Sequence, residues 1–258
     1  MITIEICANS IASAVHAQNA GAHRIELCES LETGGLTPSA GILSLARERL
    51  NIPVHVLIRP RNGDYCYDEA CVEVMRRDIA FVQSLGFEGI VIGALQPDGA
   101  LDTTVLDQLL EVAGNMSVTF HRAFDVADNP FSLTEKLIER GIERILTSGR
   151  QPTAMEGYDF IAQMQQNFGN KIKIMAGSGI NSGNIISLLR HTGVKECHLS
   201  ARRVIQGNLV PHTFSKLKNE LVRFETDPDE VRKIIDLTSG FIQPVSGRPE
   251  PRQGHIFL

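Results

Sequence analysis

The feature that most constrains the fold of this 258-residue sequence is the alternation of short β-type runs with helical patterns. Eight runs rich in Val, Ile, Leu or Phe recur along the chain, and each has the length of a strand covered on both faces. Such alternation implies parallel strands joined by right-handed crossovers. The predicted strands are Thr3–Ala8, Arg24–Glu29, Pro53–Arg59, Gly89–Leu95, Ser117–Phe124, Arg144–Ser148, Ile172–Ala176 and Glu196–Ser200.

Residues with capping preferences mark the predicted helix boundaries between these strands. Thr37 and Asn129 each precede a proline, which favours an N-cap followed by proline at the first helical position. Asp68 and Ser182 are further N-cap candidates. Glycines that follow a helical pattern and precede a strand are predicted to end helices, namely Gly21, Gly86, Gly141 and Gly193.

Eight strand–helix units in about 240 residues match the (β/α)8, or TIM, barrel. The alternative is a doubly wound open sheet, which usually carries GxGxxG after its first strand. Here the first strand is followed by CANS. We therefore predict an α/β fold with one TIM-barrel domain over residues 1–240. The proline-rich residues 241–258 are predicted to be extended or disordered, or to form an arm packed on the barrel or on a neighbouring subunit.

Composition limits the classes of function. The net charge of −5 and the lack of long basic runs argue against a nucleic-acid partner. No apolar run approaches the roughly 20 residues that cross a bilayer, and the N-terminus lacks a signal-peptide pattern. The five cysteines include no CxxC pair and form no secreted disulfide framework. We expect a cytoplasmic protein with no membrane partner.

Polar side chains share one face of several predicted strands. The first two strands both carry Glu-x-Cys, opposite an apolar face that would contact the helices. In a parallel barrel the other face points inward, and catalytic groups collect at the C-terminal strand ends. The alternative is a buried ion-pair network, for example between Glu26 and Arg59. The candidate catalytic residues are Glu26, His55, Arg59, His121, Arg122, Asp125 and His198.

The loops after the last two predicted strands indicate anion binding. AGSGI follows the seventh strand and SARR the eighth, and barrels often hold a phosphate with the backbone N–H groups of these loops. The alternative is a tight turn without a ligand. The candidate residues for binding a ligand or cofactor are Gly177, Ser178, Gly179, Ser200 and Arg202.

Two thiols, Cys7 and Cys28, end neighbouring predicted strands, which lie roughly 5 Å apart in a sheet. Cys66 follows the third strand and could approach the same rim. Thiolates are soft ligands that suit Cu(I). Single cysteines in strands are, however, commonly small buried hydrophobic residues, so both interpretations stay open.

The sequence resembles the CutC copper homeostasis family. IEIC, RIELC, GGLTPS, IPVHVLIRPRNGDYCY, VTFHRAFD, RILTSG, IMAGSGI and HLSARR follow one another in the family's order, over about four-fifths of the chain. The resemblance implies a TIM barrel, a cytoplasmic location, and copper homeostasis with Cys7 and Cys28 as the copper-binding thiols. This sequence differs from the family pattern at Asn62, where family members usually have glycine, and in the residues after SARR.

Two functions follow from these observations. The resemblance assigns a copper homeostasis protein that binds Cu(I) through thiols at the barrel mouth. The polar residues favour an enzyme that uses general acid–base catalysis on a small anionic or phosphorylated metabolite. A harder metal bound by Glu26, His55, His121 and Asp125 is a further alternative. The sequence leaves the number of subunits open, and a homo-oligomer is one of the options.

Overall fold

The fold is a closed barrel of eight parallel strands in sequential order. The structure is a computed structural model, and it describes residues 1–206 and 222–242. The predicted TIM barrel is confirmed. The strands are β1 (Thr3–Ala8), β2 (Arg24–Leu27), β3 (Val54–Leu57), β4 (Gly89–Ile92), β5 (Ser117–Phe120), β6 (Arg144–Thr147), β7 (Lys173–Gly177) and β8 (Glu196–Leu199).

Helices surround the barrel, and none in the described part of the chain is long and apolar enough to cross a membrane. Short 3-10 helices cover Leu31–Thr33 and Arg122–Val126. The α-helices are α1 (Ile11–Asn19), α2 (Ala40–Arg49), α3 (Glu69–Ser84), α4 (Thr103–Ala113), α5 (Pro130–Glu139), α6 (Tyr158–Phe168), α7 (Ile185–Thr192) and α8 (Pro228–Ser239).

Alternate residues of the strands face the helices and form the main apolar core. Ile4 and Ile6 of β1 and Ile25 and Leu27 of β2 are completely buried there. The strand pairing places Cys7 beside Glu26, and it closes the barrel with Glu5 beside His198. The polar faces of β1, β2 and β8 are therefore turned toward the barrel interior, as the sequence pattern predicts.

Most strands end earlier than predicted, because the chain turns before the β-type sequence stops. The predicted strand Ser117–Phe124 ends at Phe120 and is followed by the 3-10 helix Arg122–Val126. The ring of His121 caps this short helix by accepting the backbone N–H of Ala123. His121, directly after β5, is thus held by a short turn rather than by the strand ladder.

Two predicted N-caps are confirmed and two are wrong. The side chains of Asp68 and Asn129 accept backbone N–H groups at the starts of α3 and α5. The Thr37 hydroxyl instead accepts the backbone N–H of Arg59 at 2.8 Å, and α2 begins three residues later. The Ser182 hydroxyl donates to Glu230 of α8 instead of capping α7. A tertiary contact therefore replaces the predicted N-cap.

The eighth strand–helix unit contains an antiparallel pair that the sequence analysis missed. Strands β9 (Arg202–Gln206) and β10 (Val222–Thr226) pair after β8, and α8 follows them. The side chain of Asp227 caps α8, and Pro228 occupies its first turn. This repeats the Asn–Pro signal of α5, which could have located α8. The predicted tail lies outside the described residues from residue 243 onward.

Candidate functional site

A cavity of about 570 Å³ opens at the C-terminal mouth of the barrel. This size is in the range of small-molecule sites. The barrel strands carry Cys7, Glu26 and His198 into it, and the loops after the strands supply the other polar groups. Eleven of the predicted site residues line the cavity, namely Cys7, Glu26, Arg59, His121, Arg122, Asp125, Ser178, Gly179, His198, Ser200 and Arg202.

Three predicted site residues do not line the cavity. His55 is 3% exposed in the barrel interior, and its Nδ1 lies 3.5 Å from the Arg144 guanidinium. Gly177 packs so closely on the Leu146 side chain that an added Cβ would lie 2.5 Å from it. Cys28 is completely buried beside Cys7.

The base of the cavity is formed by a carboxylate–imidazole–carboxylate arrangement. Nδ1 of His198 hydrogen bonds with Oε1 of Glu5 at 2.7 Å and lies 3.2 Å from Oε2 of Glu26. Burial alone would lower the pKa of His198, but Glu26 and Glu5 raise it above its usual value. Burial acts against ionised Glu5, yet the Arg24 guanidinium and His198 hold the pKa of Glu5 well below its usual range. Glu5 is therefore the permanent anion that orients His198.

Glu26 differs from Glu5 because no arginine in the described part of the chain pairs with it. Burial raises the pKa of Glu26 to about 7; the charge of His198 opposes this increase, and that of Glu5 adds to it. Its Oε2 is buried and lies 3.2 Å from Nδ1 of His198, but it makes no hydrogen bond among the described residues. Glu26 therefore gains and loses a proton near neutral pH at the surface of the cavity.

A buried ion-pair network does lie below the cavity, as one alternative predicted, but with other members. Arg24 pairs with Glu5 and, at 2.7 Å, with Glu196. Arg144 pairs with Glu196 at 3.1 Å. Because paired ions offset part of the cost of burial, this network explains the charged lower barrel without assigning it a ligand.

The suggested pairing of Glu26 with Arg59 is wrong, because Arg59 is committed to the surrounding loops. Its Nη1 donates to the carbonyl oxygens of Thr33 and Gly35, and its Nη2 to that of Gly63. The guanidinium also lies 5.2 Å from the ring centroid of Tyr65. Arg59 thus holds the loops after β2 and β3 together at the cavity wall.

His121 is a neutral imidazole in a closely fitted position. Burial and the nearby charge of Arg59 lower its pKa to about 3. Its ring centroid lies 4.9 Å from that of Tyr65. The ring also fills space that only glycine leaves free, since a Cβ on Gly93 would lie 2.4 Å from the His121 ring.

Arg122 and Asp125 form an organised pair at the rim of the cavity. Asp125 accepts hydrogen bonds from the Arg122 side chain at 2.8 Å, from the hydroxyls of Thr147 and Ser148, and from the backbone of Arg150. Both of its oxygens are occupied, so the Asp125 carboxylate orders the loop after β6. Arg122 keeps a partly exposed guanidinium at the cavity.

The two predicted anion loops have unusual backbone conformations. Ser178 and Gly179 have φ angles of +80° and +71°, and Ala201 has +44°. Left-handed conformations at Ser178 and Ala201 are costly for residues with a Cβ, and such strain concentrates at functional sites. Ser178, Gly179 and Ser200 all line the cavity, and Arg202 enters it from β9 while stacking on Phe224 of β10.

The two predicted copper-binding thiols lie together. Sγ of Cys7 and Sγ of Cys28 are 3.5 Å apart, and their hydrogen bond and burial raise the pKa of Cys7 well above its usual value. The Cys7 sulfur also lies within 4.8 Å of ligand atoms of Glu26 and His198. Cys66 does not line the cavity, and all five cysteines are free thiols.

The candidate set from the sequence omits three residues that shape this site. Glu5 orients His198, Tyr65 packs on His121, and Gly93 makes room for the His121 ring. Glu5 shares the inward face of β1 with Cys7, a signal that was available in the sequence. Of the glycines at both ends of GIVIG, Gly89 begins β4 and Gly93 directly follows it, and glycine at such positions indicates close approach of another group.

The fold and the cavity define a (β/α)8-barrel protein with a polar, ligand-sized site at the C-terminal mouth. The sequence model of the CutC family matches residues 2–203. The chain belongs to the CutC family.

Curated relatives extend this similarity over almost the whole chain. The family protein CutC of Porphyromonas gingivalis strain W83 is 46% identical over 243 residues, which cover 92% of this chain and 98% of that protein. The family protein CutC of Xanthomonas campestris pv. campestris strain 8004 is 45% identical over 236 residues, covering 91% and 98%.

Solved structures agree with the barrel. The CutC structure from Streptococcus agalactiae, whose name associates it with copper homeostasis, has a TM-score of 0.75 and 32% identity, covering 78% of this chain and 99% of that one. Phosphoribosyl anthranilate isomerase from Thermotoga maritima has a TM-score of 0.57 at 13% identity, covering 93% and 100%. The second similarity shows the fold alone.

Proposed function

We propose that this protein is an enzyme that transfers a proton on a small anionic metabolite, with Glu26 as the general acid or base. The observation that carries the proposal is a buried carboxyl group with a pKa of about 7 that lines a ligand-sized cavity and lies beside His198. A group with a pKa near the working pH serves best in proton transfer. Perturbed carboxyl groups in clefts are typical of functional sites.

The surroundings of Glu26 support a negatively charged ligand. Arg122 and Arg202 reach the cavity from different loops, and Ser178, Gly179 and Ser200 line it close to strained backbone. This is the position at which barrels commonly hold phosphate. The ligand's charged group is therefore assigned to the loops after β7 and β8, with its reacting part toward Glu26.

Anion binding tests this proposal directly. Crystals grown in phosphate or sulfate are expected to hold the anion on Gly179 and Ser200, and phosphate is expected to shift the NMR signals of both amides. Arg202→Met should weaken phosphate binding about tenfold, the size of a lost hydrogen bond to a charged group. Arg203→Met is the matched control, because Arg203 pairs with Asp227 and does not line the cavity. Phosphate that binds elsewhere, or both variants binding as wild type does, would refute the proposal.

A second function, Cu(I) binding by Cys7 and Cys28, is favoured by the 3.5 Å separation of their sulfurs. Thiolates select Cu(I), and Glu26 and His198 lie close enough to complete a metal site. Because both thiols are buried and the pKa of Cys7 is raised, Cu(I) would have to displace their protons. Affinity should therefore increase with pH. Free thiols fit a reducing compartment, and we assign the protein to the cytosol.

Competition with a Cu(I)-specific chelator separates this function from adventitious thiol binding. The Cys7→Ser/Cys28→Ser variant should lose the tight site, and the Cys66→Ser/Cys71→Ser control should keep it. Equal Cu(I) affinity in both double variants would contradict a site at the barrel mouth. Loss of Cu(I) binding with intact phosphate binding would leave the enzyme proposal standing.

A further inference from the structure

The hydrogen bonding of His121 determines which of its ring nitrogens carries the proton. Nδ1 accepts the backbone N–H of Ala123 at 3.1 Å. An imidazole nitrogen that accepts a hydrogen bond cannot itself be protonated, and a neutral imidazole carries one proton. That proton must therefore be on Nε2.

The Nε2–H group has no partner of its own. Nε2 of His121 is buried and makes no hydrogen bond among the described residues, although His121 lines the cavity. A buried donor without an acceptor costs free energy, so such groups call for an explanation. An acceptor atom on a bound ligand would satisfy this one.

The ring is held in this orientation from several sides. Ala123 fixes one nitrogen, Tyr65 packs on the ring at 4.9 Å between centroids, and Gly93 leaves no room for a shift toward β4. A donor fixed before the ligand arrives needs no reorganisation during a reaction. Donors of this kind stabilise negative charge that develops on oxygen.

Glu26 and His121 reach the same cavity from β2 and from the end of β5, three strands apart around the barrel. A small ligand between them would face the Glu26 carboxyl group on one side and the His121 ring, whose N–H makes no hydrogen bond among the described residues, on the other. A proton acceptor opposite a neutral hydrogen-bond donor is suited to removing a proton from the carbon next to a carbonyl group.

We propose that the substrate class is an anionic aldehyde or ketone with a hydrogen on the carbon beside its carbonyl, whose oxygen accepts a hydrogen bond from Nε2 of His121. This inference rests on the function proposed above. Glu26 removes the α-hydrogen as a proton, and the C–H electron pair forms a carbon–carbon double bond. The carbonyl π electrons move onto oxygen, which keeps its hydrogen bond to Nε2–H. Return of the proton from Glu26 to the α-carbon regenerates the carbonyl compound. Where the α-carbon bears a hydroxyl group, the hydroxyl proton moves to the enolate oxygen and Glu26 returns its proton to the former carbonyl carbon, so that the carbonyl group moves by one carbon without another reactant.

His121 acts in this scheme as a donor and not as an acid. Burial and Arg59 lower its pKa to about 3, so the ring stays neutral over the physiological range. A neutral N–H shares its proton with the developing oxyanion but does not release it. This separates the role of His121 from that of His198, whose pKa is raised.

The tautomer of His121 provides a test on the wild-type protein. Nitrogen-15 NMR of histidine-labelled protein should show a neutral ring protonated at Nε2 between pH 6 and pH 8. A ring protonated at Nδ1, or at both nitrogens, would overturn the proposal. This measurement requires neither a variant nor a substrate.

Binding of phosphoglycolohydroxamate, a phosphorylated mimic of an enediolate, tests the substrate class. The wild type should bind it more tightly than inorganic phosphate. His121→Phe, which keeps an aromatic ring against Tyr65, should lose about 10- to 100-fold in hydroxamate affinity with unchanged phosphate affinity. His121→Gln, which restores an N–H donor, should recover part of the loss.

The possible outcomes separate this inference from the function on which it rests. Phosphate binding on the loops without tighter hydroxamate binding would overturn the carbonyl substrate class and leave the anion site intact. Equal hydroxamate affinity in wild type and His121→Phe would overturn the role of His121. No phosphate binding at the loops would refute the proposed function itself.

Discussion

Replacing Glu26 with glutamine should make the protein more stable at alkaline pH. Glutamine keeps the size of the side chain and cannot ionise. In the wild type, the carboxyl group must either keep its proton or place a negative charge at a buried position, where none of the described arginines pairs with it. The Glu26→Gln variant removes this conflict and should show a stability gain that depends on pH.

The size and sign of the effect follow from the pKa of Glu26, which rises from 4.5 to about 7 on folding. Between these values the folded protein holds a proton that the unfolded chain has released, so increasing pH favours unfolding. Each pKa unit corresponds to about 1.4 kcal/mol, and the total is about 3 kcal/mol. The advantage of Glu26→Gln should therefore be near zero at pH 4, grow through pH 5–7 and level off by pH 8.

Urea denaturation of both proteins from pH 4 to pH 8.5 measures this difference. Glu111→Gln is the matched control, because Glu111 is exposed on α4 and its replacement should leave the pH dependence unchanged. A stability difference between wild type and Glu26→Gln that stays constant with pH would refute the reasoning. It would mean that Glu26 ionises in the folded protein as freely as in the unfolded chain.

Further variants test the packing and the buried charges. Gly93→Ala should cost about 1–3 kcal/mol through overpacking against His121, whereas Gly41→Ala, at an open helical position, should be neutral or stabilising in thermal melts. Arg24→Met leaves buried Glu5 without its arginine and removes one of the two arginines of Glu196, so it should cost about 3–5 kcal/mol in urea unfolding, and a loss below about 1 kcal/mol would contradict a paired network. Asn129→Ala removes an N-cap and should cost about 1 kcal/mol, and an unchanged midpoint would contradict it.

The barrel could be predicted because its strands are buried on both faces and their sequences remain β-type from end to end. β1 was predicted with both ends correct, and Asp68 and Asn129 were correctly assigned as N-caps. Thr37 failed as a cap because its hydroxyl is used by Arg59, a residue distant in sequence. The sequence around Thr37 does not show that a distant residue competes for its hydroxyl group.

The sequence pattern predicted which residues of the candidate site face the barrel interior, but not which of them pair with each other. Glu26 and Arg59 both line the cavity, yet they do not pair with each other. The Arg59 side chain donates to backbone carbonyl oxygens, and Glu26 pairs with His198. His55 lies on an inward face but a layer below the cavity, because depth along a strand depends on the stagger of the barrel. The partner of each inward side chain, and its depth in the barrel, depend on how the strands are placed relative to one another. The alternation of residues along a single strand does not specify this placement.

The fit between His121 and Gly93 makes the two positions dependent on each other across the family. The ring occupies the volume that a side chain at position 93, directly after β4, would need, so a relative can keep histidine at this position only while it keeps glycine at the other. We expect natural sequences to change both together or neither. A relative with a larger residue at the position of Gly93 would have exchanged the imidazole as well, and with it the type of ligand that its barrel accepts.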